Sequence, residues 1–139
     1  MIRQTLHASC VAVDGRGLLI IGPSGAGKSA LALCLISLGA VLVADDQTEV
    51  TAENGALIAR CPGPLAGLIE ARGVGILRSP SLHETPVNLI VDLGTPEPDR
   101  LPPQRSVTLL GLSRDLVLGS RSAHFPAAVL CCLRHGRQA

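Results

Sequence analysis

One eight-residue string constrains the fold of this chain more than any other feature. Residues 22–29 read Gly-Pro-Ser-Gly-Ala-Gly-Lys-Ser, which matches the pattern G-x-x-x-x-G-K-[ST]. In such a loop, backbone N–H groups turn inward around phosphate oxygens, and the helix that follows adds its positive N-terminal end. We name residues 22–29 the phosphate loop. Its predicted phosphate contacts are Gly22, Pro23, Ser24, Gly25, Ala26, Gly27, Lys28 and Ser29.

Lys28 is the only lysine in the chain, and the other eleven basic residues are all arginine. A compact ammonium suits a tight phosphate loop better than a planar guanidinium. We therefore expect Lys28 to contact the β- and γ-phosphates of a nucleoside triphosphate, and the Ser29 hydroxyl to coordinate Mg²⁺. The alternative, a glycine-rich turn that binds nothing, is disfavoured because spacing and context both match the motif.

The patterns around the loop predict a single mixed α/β domain over residues 1–139. Two apolar strands joined by turn residues 14–17 should form a hairpin that feeds the phosphate loop. The helix after the loop is apolar all round, which predicts a buried helix, whereas glycines in residues 69–75 predict irregular backbone. The predicted strands are residues 8–13, 18–21, 41–44, 56–60, 87–93, 107–112 and 115–118, and the predicted helices are residues 29–38 and 123–133.

Composition excludes several classes of protein. The net charge is +1 and the charged residues are dispersed, so no nucleic-acid or anionic-lipid surface is indicated. The longest apolar stretch, residues 30–44, is shorter than the roughly 20 residues of a membrane-spanning helix. Four scattered histidines and five cysteines without C-x-x-C spacing disfavour a transition-metal site. We expect small, buried thiols in a reducing cytoplasm at Cys10, Cys34, Cys61, Cys131 and Cys132.

Phosphoryl transfer requires acidic partners for the loop. Asp45 and Asp46 follow the predicted strand 41–44, and Asp92 ends the predicted strand 87–93. By spacing alone, either group could hold the metal. The competing interpretation is a solvated turn for the adjacent pair, and a cap or turn role is the favoured one for Asp92.

Two further polar residues stay ambiguous by spacing alone. A lone histidine at the start of a strand, such as His7, is more often structural than catalytic. Arg72 lies in a glycine-bent segment and is equally suited to clamping a phosphate or to pairing with Glu70 at the surface.

Together, the order and spacing of these blocks resemble one family, the bacterial HPr kinase/phosphorylase, in its short proteobacterial form with the catalytic domain only. The resemblance covers nearly the whole chain. The matching blocks are His7-Ala8-Ser9, the phosphate loop, Leu42 to Asp46, Glu70 to Gly75, and Leu109-Leu110-Gly111.

The resemblance implies a P-loop domain similar to the phosphoenolpyruvate carboxykinase-like fold, with a mixed sheet, a helix after the phosphate loop and a C-terminal helix. It implies a cytoplasmic protein-serine kinase that phosphorylates the phosphocarrier HPr with ATP and Mg²⁺, and that phosphorolyses seryl-phosphorylated HPr. Inorganic phosphate or pyrophosphate are further ligands that it leaves open. It also implies a homo-oligomer, a trimer or a hexamer built from trimers.

The resemblance implies a role for each matching residue. Asp45 would be the general base toward the acceptor serine, with His7 beside it and Lys28 on the phosphates. Ser29, Asp46 and Glu70 would hold the metal. Glu70 and Arg72 would lie in the segment tied to phosphorolysis, where Arg72 would contact phosphate.

Some residues depart from the family pattern. Ala30 stands where the family commonly has an acidic residue, Ala71 replaces a valine, and residues 119–122 replace a stretch that is usually acidic. These departures leave open a second hypothesis, an ATP-binding regulatory module with weakened catalysis. A third, a small-metabolite kinase, ranks last because its clustered lid arginines have no counterpart here.

Overall fold

The computed structural model describes residues 2–139, which form eleven β-strands and two α-helices in a mixed α/β order. One 3-10 turn, Gly63–Leu65, interrupts the chain between β6 and β7. The elements are β1 (Arg3–Leu6), β2 (Ser9–Val13), β3 (Arg16–Ile21), α1 (Lys28–Ser37), β4 (Val41–Ala44), β5 (Thr48–Glu53), β6 (Ala56–Arg60), β7 (Leu68–Ala71), β8 (Gly75–Arg78), β9 (Glu84–Pro96), β10 (Arg105–Leu109), β11 (Leu112–Gly119) and α2 (Phe125–His135).

The long strand β9 organises a nine-stranded mixed sheet. The order along the sheet is β1-β5-β6-β9-β3-β2-β4, and β11 also pairs with β9 and carries β10 at its other edge. Strands β3 and β11 run parallel to β9, whereas β6 runs antiparallel to its first residues. The carboxyl ends of β3, β9 and β11 therefore meet at one edge of the sheet, and the phosphate loop leaves from that edge.

The hairpin that precedes the phosphate loop forms as the turn residues predict. Asp14 and Gly15 both have positive φ, 52° and 74°, as a two-residue turn of the favoured hairpin type requires. The paired strands β2 and β3 are almost entirely buried. This burial gives the phosphate loop a rigid strand as its entry.

Alternate residues of the central strands face two separate cores, as the two-residue period of a strand requires. Leu18, Ile20 and Val91 contact the helix-side core with α1 and α2. Leu19 and Ile90 contact the other core, beneath β5 and β6. Both faces of the centre of the sheet are thus covered, and this explains the nearly continuous apolar run in β9.

Helix α1 corrects one prediction. It spans Lys28–Ser37 and ends before Gly39, at φ 113°, as expected. It is not buried all round, however, because Ala30, Cys34 and Ser37 are exposed. The apolar composition misled here because its exposed positions carry small residues. Cys34 and Cys131 are exposed as well, so the prediction of buried thiols is wrong for both.

Several element boundaries also differ from prediction. Leu110 and Gly111, with φ 51° and 80°, form the turn between β10 and β11 rather than extending the first strand. Part of the segment predicted as irregular pairs as the β7–β8 hairpin. Strands β1 and β5 escaped prediction because their polar sequences give no apolar signal. Within residues 2–139, neither helix has the length and apolar character needed to cross a membrane.

Candidate active site

The phosphate loop connects the end of β3 at Ile21 to the start of α1 at Lys28. Gly22, Gly25 and Gly27 have φ values of 148°, 84° and 99°, which only glycine adopts without strain. The N–H group of Ala26 donates to the Pro23 carbonyl oxygen at 3.1 Å. The strand, loop and helix thus have the context that the motif requires.

Lys28 folds back onto the phosphate loop. Lys28 is only 6% exposed. Its Nζ donates to the carbonyl oxygens of Gly22 at 2.8 Å and Pro23 at 3.1 Å. The only ammonium side chain of the protein therefore lies against the loop backbone, where a bound phosphate would compete for it.

Asp45 is a buried carboxylate that joins three elements. Its Oδ1 accepts hydrogen bonds from the hydroxyls of Ser9 and Ser29, each at 2.7 Å. Its Oδ2 accepts the backbone N–H of Glu70 at 3.0 Å. Asp45 is 6% exposed, so it ties β2, α1 and β7 together from below the surface.

Asp46 differs from Asp45 in its exposure and in its hydrogen-bond partners. Its side chain is 63% exposed, and its Oδ1 lies 2.5 Å from Nε2 of His7, which is itself 52% exposed. Its φ is 68°, a conformation that aspartate tolerates better than most residues. The pair therefore presents one carboxylate to the interior and one to solvent.

Residues of the phosphate loop and the His7–Asp46 pair line one cavity of about 520 Å³. It is lined by His7, Ser24, Gly25, Gly27, Lys28, Ser29, Ala30, Leu33, Cys34, Asp46, Glu70, Ala71, Arg72 and Val74. Of the residues predicted for the site, Gly22, Pro23 and Ala26 belong to the loop without lining the cavity, and Asp45 lies behind the Ser29 wall. Segments far apart in sequence thus meet at one opening.

Arg72 lies at this opening, at the tip of the β7–β8 hairpin, and is exposed. Of the two interpretations from sequence, a phosphate clamp or a surface ion pair with Glu70, the ion pair does not form among residues 2–139. Its guanidinium is therefore available on the cavity side.

The donor set beside the loop suits a hard divalent cation. The carboxylate adjacent to Ser29 is that of Asp45, at 2.7 Å, rather than that of Asp46. No cluster of three or more His, Cys, Asp or Glu side chains poised to hold a metal occurs in the described part of the chain. One hydroxyl and one or two carboxylates fit Mg²⁺, which keeps several waters and shares substrate phosphates.

Two residues near Asp45, Ser9 and Cys61, had no predicted role in the site. Ser9 is fully buried in an otherwise apolar strand, and that isolated hydroxyl was the signal available. Burial first, and then the negative charge of Asp45, raise the pKa of the Cys61 thiol.

Asp92 accepts the N–H of Gly94 at 2.8 Å. This contact matches the turn role that the sequence favoured for Asp92.

Comparison with known proteins places this geometry in a family. A family model described as the HPr Serine kinase C-terminal domain matches residues 1–99. A solved structure, the Hpr(Ser) kinase/phosphatase from Coxiella burnetii, superposes with a TM-score of 0.79 at 30% identity and covers 94% of each chain.

Curated relatives of similar sequence carry the same family name. An HPr kinase/phosphorylase of Clostridium tetani is 47% identical over 78 residues, or 56% of this chain and 26% of the relative. Another, of Limosilactobacillus reuteri, is 41% identical over 105 residues, or 70% of this chain and 33% of the relative. The matched part thus spans about a quarter to a third of these curated relatives. This chain belongs to the family of the HPr serine kinase C-terminal domain.

Proposed function

We propose that this domain is an ATP-dependent protein-serine kinase that phosphorylates an HPr-type phosphocarrier, and that it also phosphorolyses the seryl-phosphorylated product. One observation carries the proposal: Lys28, Ser29 and the His7–Asp46 pair line a single cavity, and Asp45 lies directly behind Ser29. The names of the relatives support the substrate. The finer description of the fold, a P-loop domain like that of phosphoenolpyruvate carboxykinase, belongs to the same proposal.

The phosphates of ATP would occupy the phosphate loop. There the loop N–H groups and the N-terminal end of α1 would bind phosphate oxygens, and Lys28 would exchange its carbonyl contacts for the β- and γ-phosphates. Ser29 and Asp45 would hold Mg²⁺, with Asp46 and Glu70 at the same opening as the further predicted carboxylates. When bound, the metal would neutralise charge developing on the transferred phosphoryl group.

The hydrogen bonds favour a division of roles between the aspartates that differs from the one implied by the resemblance. Asp45 is buried and already accepts three hydrogen bonds, whereas Asp46 is exposed and accompanied by His7. We therefore assign the general base to Asp46 and the metal side to Asp45. A base must reach the proton that it removes, and of the two aspartates only Asp46 is open to a hydroxyl on another protein.

In the forward reaction, the Asp46 carboxylate would accept the proton of the acceptor serine as the serine oxygen bonds to the γ-phosphorus. The bond from that phosphorus to the bridging oxygen breaks, and ADP leaves. His7 would orient the carboxylate through the 2.5 Å contact. In phosphorolysis, an oxygen of inorganic phosphate bound by Arg72 would bond to the seryl phosphorus as the bond to the serine oxygen breaks, so that the phosphoryl group leaves as pyrophosphate. The same carboxyl group would return the proton to the serine oxygen.

Incubation with ATP, Mg²⁺ and a purified HPr-type protein, read by intact mass, tests the function. We expect one phosphoryl group on the acceptor, and its loss when inorganic phosphate replaces ATP. An acceptor whose target serine is changed to alanine is the matched control. Binding of ATP without transfer to any HPr-type acceptor would overturn the kinase proposal.

Such a result would favour the second candidate, a regulatory module that binds ATP with weakened catalysis. The observation behind it is Ala30, which lines the cavity and offers no carboxylate where the family commonly has one. The predicted trimer or hexamer and the predicted cytoplasmic location remain proposals alongside the activity.

A further inference from the structure

The cavity has two chemically different parts. Its polar side chains lie on or opposite the phosphate loop. A second wall carries only aliphatic groups and a thiol, contributed by Ala30, Leu33, Cys34, Ala71 and Val74. We name this second wall the aliphatic slot.

One side of the aliphatic slot is a face of α1. Ala30, Leu33 and Cys34 have the spacing i, i+3, i+4, which places them on one side of a helix. Ala30 and Cys34 are exposed, although the rest of the helix buries its apolar groups in the core. This face is therefore largely uncovered where it borders the cavity.

The other side is the tip of the β7–β8 hairpin. Val74 is 76% exposed and belongs to neither core. It follows Gly73, whose φ of 85° bends the tip. The exposed side chains of the slot are thus Val74 from the hairpin and Ala30 and Cys34 from α1, whereas Leu33 and Ala71 also pack in the protein interior.

We propose that the aliphatic slot holds the base and ribose of the nucleotide, an inference that rests on the proposed function. Phosphates in the loop would lie beside Lys28 and Ser29, and Cys34 is six positions further along the helix than Lys28, a rise of about 9 Å. The slot thus begins within one helical turn of the phosphate site. Ala30 directly follows Ser29 and lines the same cavity, so the slot adjoins the phosphate site.

The chemistry of the slot gives it little means of reading the base. A base edge is recognised by hydrogen-bonding groups, and strong rejection of a wrong ligand requires such groups to be left unpaired. The slot walls offer carbon and one thiol, and the only aromatic residue, Phe125, lies on α2 outside the cavity. ATP, GTP and CTP should therefore bind within about tenfold of one another.

Alkylation of Cys34 by N-ethylmaleimide, followed by peptide mass analysis, reports on the slot directly. With Mg²⁺ present, we expect saturating ATP or GTP to slow the modification of Cys34 about tenfold or more, and saturating tripolyphosphate to leave it unchanged. Cys131 is exposed on α2 and is the internal control, since no ligand should protect it. Equal protection of Cys34 by tripolyphosphate and ATP would overturn the proposal.

A pair of variants gives a second, independent readout. Cys34→Phe should fill the slot and weaken ATP and GTP about tenfold or more while leaving tripolyphosphate within about twofold. Cys131→Phe is the matched control and should change none of the three. Equal weakening of all three ligands, or of none, would contradict the slot. If tripolyphosphate fails to bind the unmodified protein, the phosphate loop assignment itself fails, so the two proposals are separable.

Discussion

The two polar walls of the candidate site, the phosphate loop and a group of acidic residues, are built in opposite ways. The phosphate loop comes from one contiguous stretch between β3 and α1. The other part, which we name the acidic wall, consists of His7, Asp46 and Glu70 at the cavity and Asp45 behind Ser29, and its members are separated by up to 63 positions in sequence. The first wall is specified locally by glycines and a lysine. The second exists only because β2 pairs with β4 and α1 packs on β7.

The difference teaches what each wall depends on. Substitutions in the phosphate loop should change ligand binding while the fold persists, since its backbone conformation is local. Substitutions in the acidic wall should divide into two kinds, because the buried Asp45 carboxylate links β2, α1 and β7, whereas the exposed Asp46 carboxylate contacts His7 between β1 and β2. The following variants test that division.

The largest effect should come from Asp46→Asn. We expect the rate of phosphoryl transfer to fall about 10²–10⁴-fold, since the variant removes the proposed base. The free energy of unfolding should stay within about 0.5 kcal/mol because the side chain is exposed. Asparagine also tolerates the φ of 68° found here. Single-turnover transfer to an HPr-type protein and urea denaturation measure the two quantities, and a retained rate would return the base to Asp45.

Lys28→Ala probes the phosphate loop. The change removes a charge-assisted contact, and we expect ATP binding to weaken by about 1.5–3 kcal/mol. Arg100→Ala removes one positive charge from the exposed segment before β10 and serves as the control. Calorimetric titration of ATP with Mg²⁺ gives both affinities. Unchanged ATP affinity in the lysine variant would count against the loop as the phosphate site.

Asp45→Asn should damage the fold instead. An amide has one oxygen instead of two, so in either orientation its N–H₂ group replaces an acceptor, either that of the Glu70 N–H, which now donates at 3.0 Å, or that of the two serine hydroxyls. We expect the free energy of unfolding to fall by about 2 kcal/mol, within the cost of an unsatisfied buried group. Urea denaturation beside the Asp46→Asn variant makes the comparison. Equal stability of the two variants would remove the distinction between the aspartates.

The predictability of the site follows the same division. The phosphate loop, the hairpin before it and the start of α1 could be predicted because turn glycines and apolar runs act locally. Candidate residues of the acidic wall could be named, but not their contacts. Whether Asp45 or Asp46 faces the interior depends on strand register, and a one-residue shift exchanges the two faces.

Other features escaped prediction for a related reason. Strand β1 is polar and lies at the sheet edge, where pairing with β5 rather than burial forms it. The exposed face of α1 borders a cavity made by the distant β7–β8 hairpin. Composition alone therefore predicted more burial for Cys34 than it has.

The smallest and sharpest test compares Ser9→Ala with Ser29→Ala, because both hydroxyls donate to the same oxygen of Asp45 at 2.7 Å. Ser9 is fully buried, so its loss leaves a buried acceptor short of one donor, and we expect about 1 kcal/mol less stability with little change in ATP affinity. Ser29 borders the cavity, where water can replace its hydroxyl, so its loss should instead weaken Mg²⁺-dependent ATP binding. Unfolding in urea and ATP titration with and without Mg²⁺ measure both. If both variants change stability and ATP affinity equally, the two serines have the same role toward Asp45, and the distinction between the phosphate loop and the acidic wall fails.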